Sequence, residues 1–571
     1  MFDPLNQNSA EALLTLNQEK KARVLAGDIP EWYSTQGYQM YLSKYAYKDQ
    51  TVKERFRSIA QTLSQHMYAD AAYWEQRFFD LMWEGILSPS TPALANLGTD
   101  RGMPVACSGQ VIGDSVESFY GKLQETALLS KWGFGTSGDF SRIRPRGSPI
   151  SRGGIATGAT VVMHDFFTCA SKISQGGTRR GSFAAHLDIT HGDFHETIQK
   201  FNLDPNGKNY VWTITDDYVN ALKEGDKEAL SRFNEMLATK RHLGKGCLFF
   251  KDKANRQRPP MYKDKGLFIE STNLCTEIML HSSLEYTFSC IIASLNLLHW
   301  DKIKLTDAVF VSLVFLDCLC SEFIRVSEGI VGLESVREFT RKGRPVALSA
   351  MGFHTYLQSK NIPYDSLEAQ FINSEIAAFI DKESLRASKY LASLFGEPEW
   401  CKGYGVRNTH RIAYAPTKST SVLMGNVSES WFPEPALIYD APSASGELRR
   451  MSPILYKLMQ ERNVYTTQNV TDIIKHLGSV QHVDWLTKHE KRVFKNAFEI
   501  DQRILYRYTK QRQKYVCQGQ SLNFYIPEDG SEDLLSELIT LCVLDEDILS
   551  QYYVYSRSGV VIQDECTNCQ G

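Results

Sequence analysis

Ser271-Thr-Asn-Leu-Cys-Thr-Glu277, followed by Ser289-Cys290-x-x-x-Ser294-Leu-Asn296, is the stretch on which the reading of this chain turns. Asn273, Cys275 and Glu277 alternate, so in an extended segment or at a loop tip their side chains project to one side. A thiol then sits between an amide and a carboxylate. That set suits hydrogen abstraction or attack by sulfur, proton transfer by the acid and orientation of a hydroxyl by the amide. The spacing alone equally describes a half-buried strand with its polar residues outward.

Around this stretch the chain reads as a large globular protein. Its 571 residues are 43% hydrophobic, enough for a large core, and a formal net charge of −3 speaks against a nucleic-acid coat or a polybasic membrane anchor. No secretory signal is visible at the start, and the most apolar run, Ala308 to Leu316, is far short of a membrane span and reads as a buried helix. Twelve cysteines without the dense spacing of a secreted disulfide scaffold fit a reducing, cytoplasmic setting. Thr51 and Glu54 form a capping box before Val52, Phe56, Ile59, Leu63 and Met67 at helical spacing. Apolar runs at Tyr210 to Thr215 and Gly246 to Phe250 read as buried strands, and alternation of such runs with helices favours an α/β core. Glycine-rich loops crowd the region from Gly133 to Gly181, and no Walker-type or dinucleotide-binding glycine motif occurs there in the required context.

Further motifs join the central one. Ser88-Pro-Ser-Thr91-Pro92 precedes Cys107, and Ala415-Pro416-Thr417-Lys418-Ser419-Thr420-Ser421 has the hydroxyls of an anion-binding loop opening a helix. Gln551-Tyr552-Tyr553 stands just before a terminal Cys566-x-x-Cys569. Taken singly, Cys107 and Cys290 are ordinary buried thiols and the tyrosine pair is packing, while the terminal pair suits thiol exchange, half of a zinc site being the alternative although no second cysteine or histidine pair lies nearby in sequence.

Taken together, these motifs resemble those of ribonucleotide reductase large subunits of class I, from about Pro89 to the C-terminus. The resemblance implies a ten-stranded α/β barrel of two antiparallel five-stranded halves with Cys275 on a finger loop inside it. It divides the chain into an N-terminal helical region without a complete ATP-cone (1–88), the barrel with its effector loops (89–559) and a flexible redox tail (560–571). It makes Cys275 a transient thiyl radical, Glu277 and Asn273 its partners at the substrate 3′-hydroxyl, and Cys107 and Cys290 the reducing pair. Tyr552 and Tyr553 would relay the radical from a separate metal-containing small subunit, this chain binding no cofactor of its own. Substrate would be a ribonucleoside diphosphate held by Thr91, Ala106, Gly135, Pro416, Thr417, Lys418, Ser419 and Thr420. ATP or deoxynucleotide effectors at a homodimer interface would be read by Asp114, Arg144, Ile150, Ser174, Gln175, Gly176 and Arg179. Reduced thioredoxin or glutaredoxin would supply electrons through Cys566 and Cys569. Ala106 replaces a serine found in some relatives, and the tandem Arg179-Arg180 departs from the usual second effector loop, so effector rules are expected to differ. The rival readings are a class II enzyme using adenosylcobalamin, against which the tyrosine pair argues, and a non-catalytic nucleotide-binding regulator, against which the five retained cysteines argue.

Overall fold

The computed structural model describes residues 10–151, 153–175, 179–443, 446–527 and 532–556. The capping box closes as the sequence predicts: Thr51 Oγ1 accepts from Glu54 N, the Glu54 carboxylate accepts from Thr51 N, and helix Val52–Ser64 follows. Val52, Phe56, Ile59 and Leu63 bury one face of it against helices Ala71–Trp83 and Ala308–Val326. Met67 is also buried, but in a 3-10 turn at Gln65–Asp70, because the backbone kinks at Tyr68, whose φ is +49°. The apolar run that begins at Ala308 is the buried central helix.

Twelve strands concern the site: β1 Leu87–Pro89, β2 Cys107–Val111, β3 Gly135–Asp139, β4 Phe183–Asp188, β5 Asn209–Ile214, β6 Cys247–Phe250, β7 Phe288–Cys290, β8 Ile292–Asn296, β9 Ala347–Met351, β10 Phe524–Ile526, β11 Ser550–Gln551 and β12 Val554–Ser556. The first half of the barrel is regular, with β6, β5, β4, β3 and β2 as parallel neighbours. At its two edges the direction reverses: β7 pairs antiparallel with β2, and β11 antiparallel with β6. From β7 the chain passes Ile291 into β8, which is parallel to β9; β1 covers the other edge of β8. The circuit continues through single bridges, Leu348 to Ile412 and Tyr414 to Gln520, then through β10 paired parallel with β12, and so back to β11. Two halves of five segments, opposed in direction, thus close one ring, as the resemblance implies.

The second half differs in regularity, and side chains explain why. Cys517 Sγ accepts from the backbone N–H of Arg411 and Ile412, and Ser349 Oγ accepts from Ala415 N at 3.1 Å, taking places that ladder carbonyls would fill. The segments around 412 and 520 are therefore joined by bridges rather than by long ladders.

The interior is occupied by the stretch from Ser271 to Ser282, buried along its whole length. β2 and β3 make room for it. They are buried at every position yet read Cys-Ser-Gly-Gln-Val and Gly-Thr-Ser-Gly-Asp, with side chains small enough to admit a chain segment against their inner face. Ser137 Oγ on β3 donates to the Thr272 carbonyl at 2.7 Å, and His186 Nε2 on β4 lies 3.0 Å from the same oxygen. From the other half, Gly519 N donates to Glu277 O at 2.8 Å and Ser550 Oγ to Thr276 O at 2.9 Å. The inserted loop is held by both halves and cannot slide relative to either without losing buried hydrogen bonds.

Candidate active site

Asn273, Cys275 and Glu277 meet at a loop tip and not on an extended strand. Thr276 takes a left-handed φ of +65°, and Thr276 N donates to Asn273 O at 3.1 Å, folding the segment back on itself. Asn273 locks the turn twice: its Oδ1 accepts from Ile278 N at 3.0 Å, which leaves Nδ2 to donate to Glu277 Oε1 at 2.9 Å. The amide thereby orients the carboxylate, and Cys275 is carried at the tip between them.

The carboxyl of Glu277 is fully enclosed. Loss of hydration raises its pKa to about 7, against the opposing pull of hydrogen bonds from Asn273, from its own backbone and from Ser521. Ser521 Oγ lies 3.1 Å from Glu277 Oε2 and 2.6 Å from the carbonyl of Cys275, so one hydroxyl ties the carboxyl to the thiol-bearing residue. An acid near neutrality can take up and return a proton at ordinary pH.

The tyrosine pair arrives from the far end of the chain. Tyr552 OH donates toward Cys275 Sγ at 3.6 Å, and the Tyr552 and Tyr553 rings stack with centroids 3.9 Å apart at 21°. Tyr553 OH donates to Asn209 Oδ1 on β5 at 3.0 Å. Lys240 fixes the backbone here through Nζ contacts to Tyr552 O (3.1 Å) and Gly246 O (2.7 Å). Burial lowers this lysine to about 8, against the weaker opposing pull of the Cys247 and Cys542 thiols.

Cys107 and Cys290 are direct partners in the β2–β7 ladder. Residues opposed in this way have Cβ atoms roughly 4.5–5.5 Å apart, so a disulfide needs only a small backbone adjustment. Both cysteines line one pocket with Cys275 and Glu277, and Ala106 joins them there. Gly135 stands one strand further, opposite Cys107 on β3, with its N–H on the Ala106 carbonyl at 3.0 Å. The pocket's other walls are Ser90, Thr91 and Pro92, then Pro416 to Thr420, with Ile292 and Ser294 on β8 between. Thr417 precedes helix Lys418–Leu423, and its Oγ1 is held by Ser430 N at 2.9 Å. Hydroxyls and the first turn of that helix face the pocket, as an anion requires.

Away from the pocket, Asp114 and Arg144 pair with each other: Arg144 Nε donates to Asp114 Oδ2 at 2.6 Å and its NH1 to Pro149 O at 2.9 Å. Ile150 is 43% exposed beside them. Gln175 turns inward instead. It is buried against Gly102 and Gly133, and its Nε2 donates to Asn96 Oδ1 at 2.9 Å and to Arg101 O at 3.1 Å. Ser174 and Arg179 lie on the adjoining short strands Ser174–Gln175 and Arg179–Arg180, paired antiparallel. Gly176, Cys566 and Cys569 lie outside the described residues.

Sequence reasoning missed Ser521, Asn209, Ser137 and His186. Each is a single polar residue whose partner is brought to it only by insertion of the loop, for Ser137 and His186, or by closure of the barrel, for Ser521 and Asn209.

Comparison with known proteins agrees with this construction. A family model described as "Ribonucleotide reductase, barrel domain" matches residues 105–202, 200–403 and 398–543, and one described as "Ribonucleotide reductase, all-alpha domain" matches 31–102. The putative ribonucleoside-diphosphate reductase large subunit of Frog virus 3 is 31% identical, over 87% of this chain and 92% of its own. A vitamin B12-dependent ribonucleoside-diphosphate reductase from Thermoplasma acidophilum is 30% identical over 84% of this chain but only 64% of its own. Among solved structures, the Actinobacillus ureae class Id ribonucleotide reductase alpha subunit superposes with a TM-score of 0.85 at 36% identity, covering 93% of this chain and 98% of that one. The chain belongs to the ribonucleotide reductase family. Within the family it is a large subunit of the class I alpha kind.

Proposed function

We propose that the pocket removes the 2′-hydroxyl of a ribonucleoside diphosphate by radical chemistry at Cys275, with the radical delivered from a separate small subunit through Tyr553 and Tyr552. The observation that carries this reading is the contact of the Tyr552 hydroxyl with Cys275 Sγ at 3.6 Å at the head of a stacked phenol pair. Each hop moves one electron and one proton: Tyr552 loses its hydrogen to Tyr553, then takes one from the Cys275 thiol, leaving sulfur as the radical.

The Cys275 radical takes the 3′-hydrogen of the substrate. Glu277, in its ionised form and oriented by Asn273, accepts the 3′-hydroxyl proton, and the 2′-hydroxyl departs as water with a proton from the cysteine pair. Cys107 and Cys290 supply two electrons and, besides the proton that leaves with the water, the hydrogen that replaces the hydroxyl at C2′, closing a disulfide across the β2–β7 ladder, while Glu277 returns its proton to the 3′-oxygen. Return of the 3′-hydrogen from Cys275 restores its radical. Thr91 and Thr417 to Thr420 hold the diphosphate, and Ala106 and Gly135 shape the sugar end. Asp114, Arg144 and Ile150 read a nucleotide effector at a homodimer interface, with Ser174, Gln175, Gly176 and Arg179 passing its identity inward. Cys566 and Cys569 return electrons from thioredoxin or glutaredoxin.

The test is incubation with a candidate small subunit, cytidine diphosphate and a dithiol. Deoxycytidine diphosphate forms only when both proteins are present. Product from this chain with adenosylcobalamin alone would instead support the class II alternative.

A further inference from the structure

Tyr41–Tyr45 is a one-turn π-helix, closed by Ala46 N donating to the Tyr41 carbonyl at 2.9 Å. Such turns are rare and concentrate at functional sites, because the extra residue redirects a side chain at some cost in helix packing. Here the residue at its end is Tyr45, buried, with its hydroxyl 3.0 Å from Thr91 Oγ1. Thr91 lines the pocket on one side.

The segment that leads into this turn touches the opposite wall. Gly37, in helix Thr35–Met40, approaches helix Lys418–Leu423 so closely that a Cβ there would stand 3.2 Å from the carbonyl oxygens of Val422 and Leu423 and 3.1 Å from Ser34 Oγ. Asn426 Nδ2 donates to Gln36 Oε1 at 3.4 Å. Arg55, on the next helix, donates from Nε to Leu94 O at 2.9 Å within the helix that begins at Thr91. A piece of the N-terminal helical region thus braces both walls between which the diphosphate is placed.

We propose that the segment from Ser34 to Tyr45 sets the spacing of the diphosphate subsite, and that Tyr45 is a positioning residue acting through Thr91. The inference rests on the reading of Thr91 and Thr417 to Thr420 as phosphate contacts. When the phenol donates to Thr91 Oγ1, the threonine proton is directed elsewhere, and a phosphate oxygen is the acceptor the pocket offers it. Without the phenol the threonine hydroxyl can rotate away.

The experiment uses the full chain with its small subunit and compares wild type, Tyr45→Phe, Thr91→Val, the double variant and Gly37→Ala. Tyr45→Phe raises KM for the ribonucleoside diphosphate about three- to tenfold with kcat held within about a factor of two. Inhibition by inorganic pyrophosphate weakens by the same factor. The double variant is no worse than Thr91→Val, because both changes remove one coupled contact. Gly37→Ala, pressing on the other wall, also raises KM. The inference is overturned if Thr91→Val raises KM while Tyr45→Phe leaves it unchanged, or if the two effects simply add. Should Thr91→Val itself leave KM unchanged, the phosphate assignment of Thr91 falls, and the role of Tyr45 with it.

Discussion

Replacing Glu277 with glutamine separates the chemical role of this acid from its cost to the fold. Burial lifts the carboxyl from 4.5 to about 7, so the folded chain holds this proton more tightly than the unfolded chain does. Stability therefore falls as pH climbs from 4.5 through 7, and the ionised form carries a penalty of about 3 kcal/mol once pH is well above 7. Glu277→Gln, unable to ionise, escapes that penalty: against denaturant it gains up to about 3 kcal/mol at pH 8.5, less what the lost Ser521 contact was worth, and little at pH 5. Activity moves the other way. The base is about one-tenth ionised at pH 6 and about nine-tenths at pH 8, so kcat/KM for wild type rises about tenfold over that interval. The variant loses about 10²–10⁴ in kcat at pH 8 and its residual rate no longer follows this limb. Deoxynucleotide formation measured from pH 6 to 8.5 in both proteins checks this. Retention of a third or more of the wild-type rate by the variant, or the same rising limb in both, would refute the reasoning.

Other changes follow from the same contacts. Tyr552→Phe removes the hydroxyl beside Cys275 Sγ; turnover with the small subunit is abolished while equilibrium binding of the diphosphate stays within about a factor of two. Ser521→Ala removes the donor at Glu277 Oε2, so Glu277 becomes a weaker acid and the rising limb of kcat/KM shifts to higher pH. Turnover without external dithiol oxidises Cys107 and Cys290 as a pair, seen by mass spectrometry as joint loss of alkylation, whereas Cys290→Ser leaves Cys107 alkylated throughout.

What the sequence disclosed depended on whether a local pattern carried the information. The Thr51 cap and the apolar face of its helix are local, and the runs that became β5 and β6 are continuous and hydrophobic, as parallel strands buried on both faces should be. β2 and β3 are equally buried, but beside Cys107, Gln110 and Val111 they are written in Gly, Ser, Thr and Asp, because an inserted loop and not a layer of large side chains fills the space before them. No hydrophobic period marks them. The central motif was legible because its three chemical residues alternate within one short stretch, yet its conformation was not, since Thr276 at φ +65° is no turn signal. The inward turn of Gln175 was not legible either. Its burial follows from missing Cβ atoms at Gly102 and Gly133, two positions far from it in sequence that together leave a slot. Ser521 and Asn209 acquire meaning only when strands from distant parts of the chain close the ring.

The central claim is that the sulfur of Cys275 is the atom that opens the substrate. It is tested most directly by substituting Cys275→Ser in the full chain and measuring deoxycytidine diphosphate formed with an active small subunit, cytidine diphosphate and dithiol. The account predicts no product from a variant that still binds cytidine diphosphate and still folds. Product formed by Cys275→Ser at a rate comparable to wild type would contradict it.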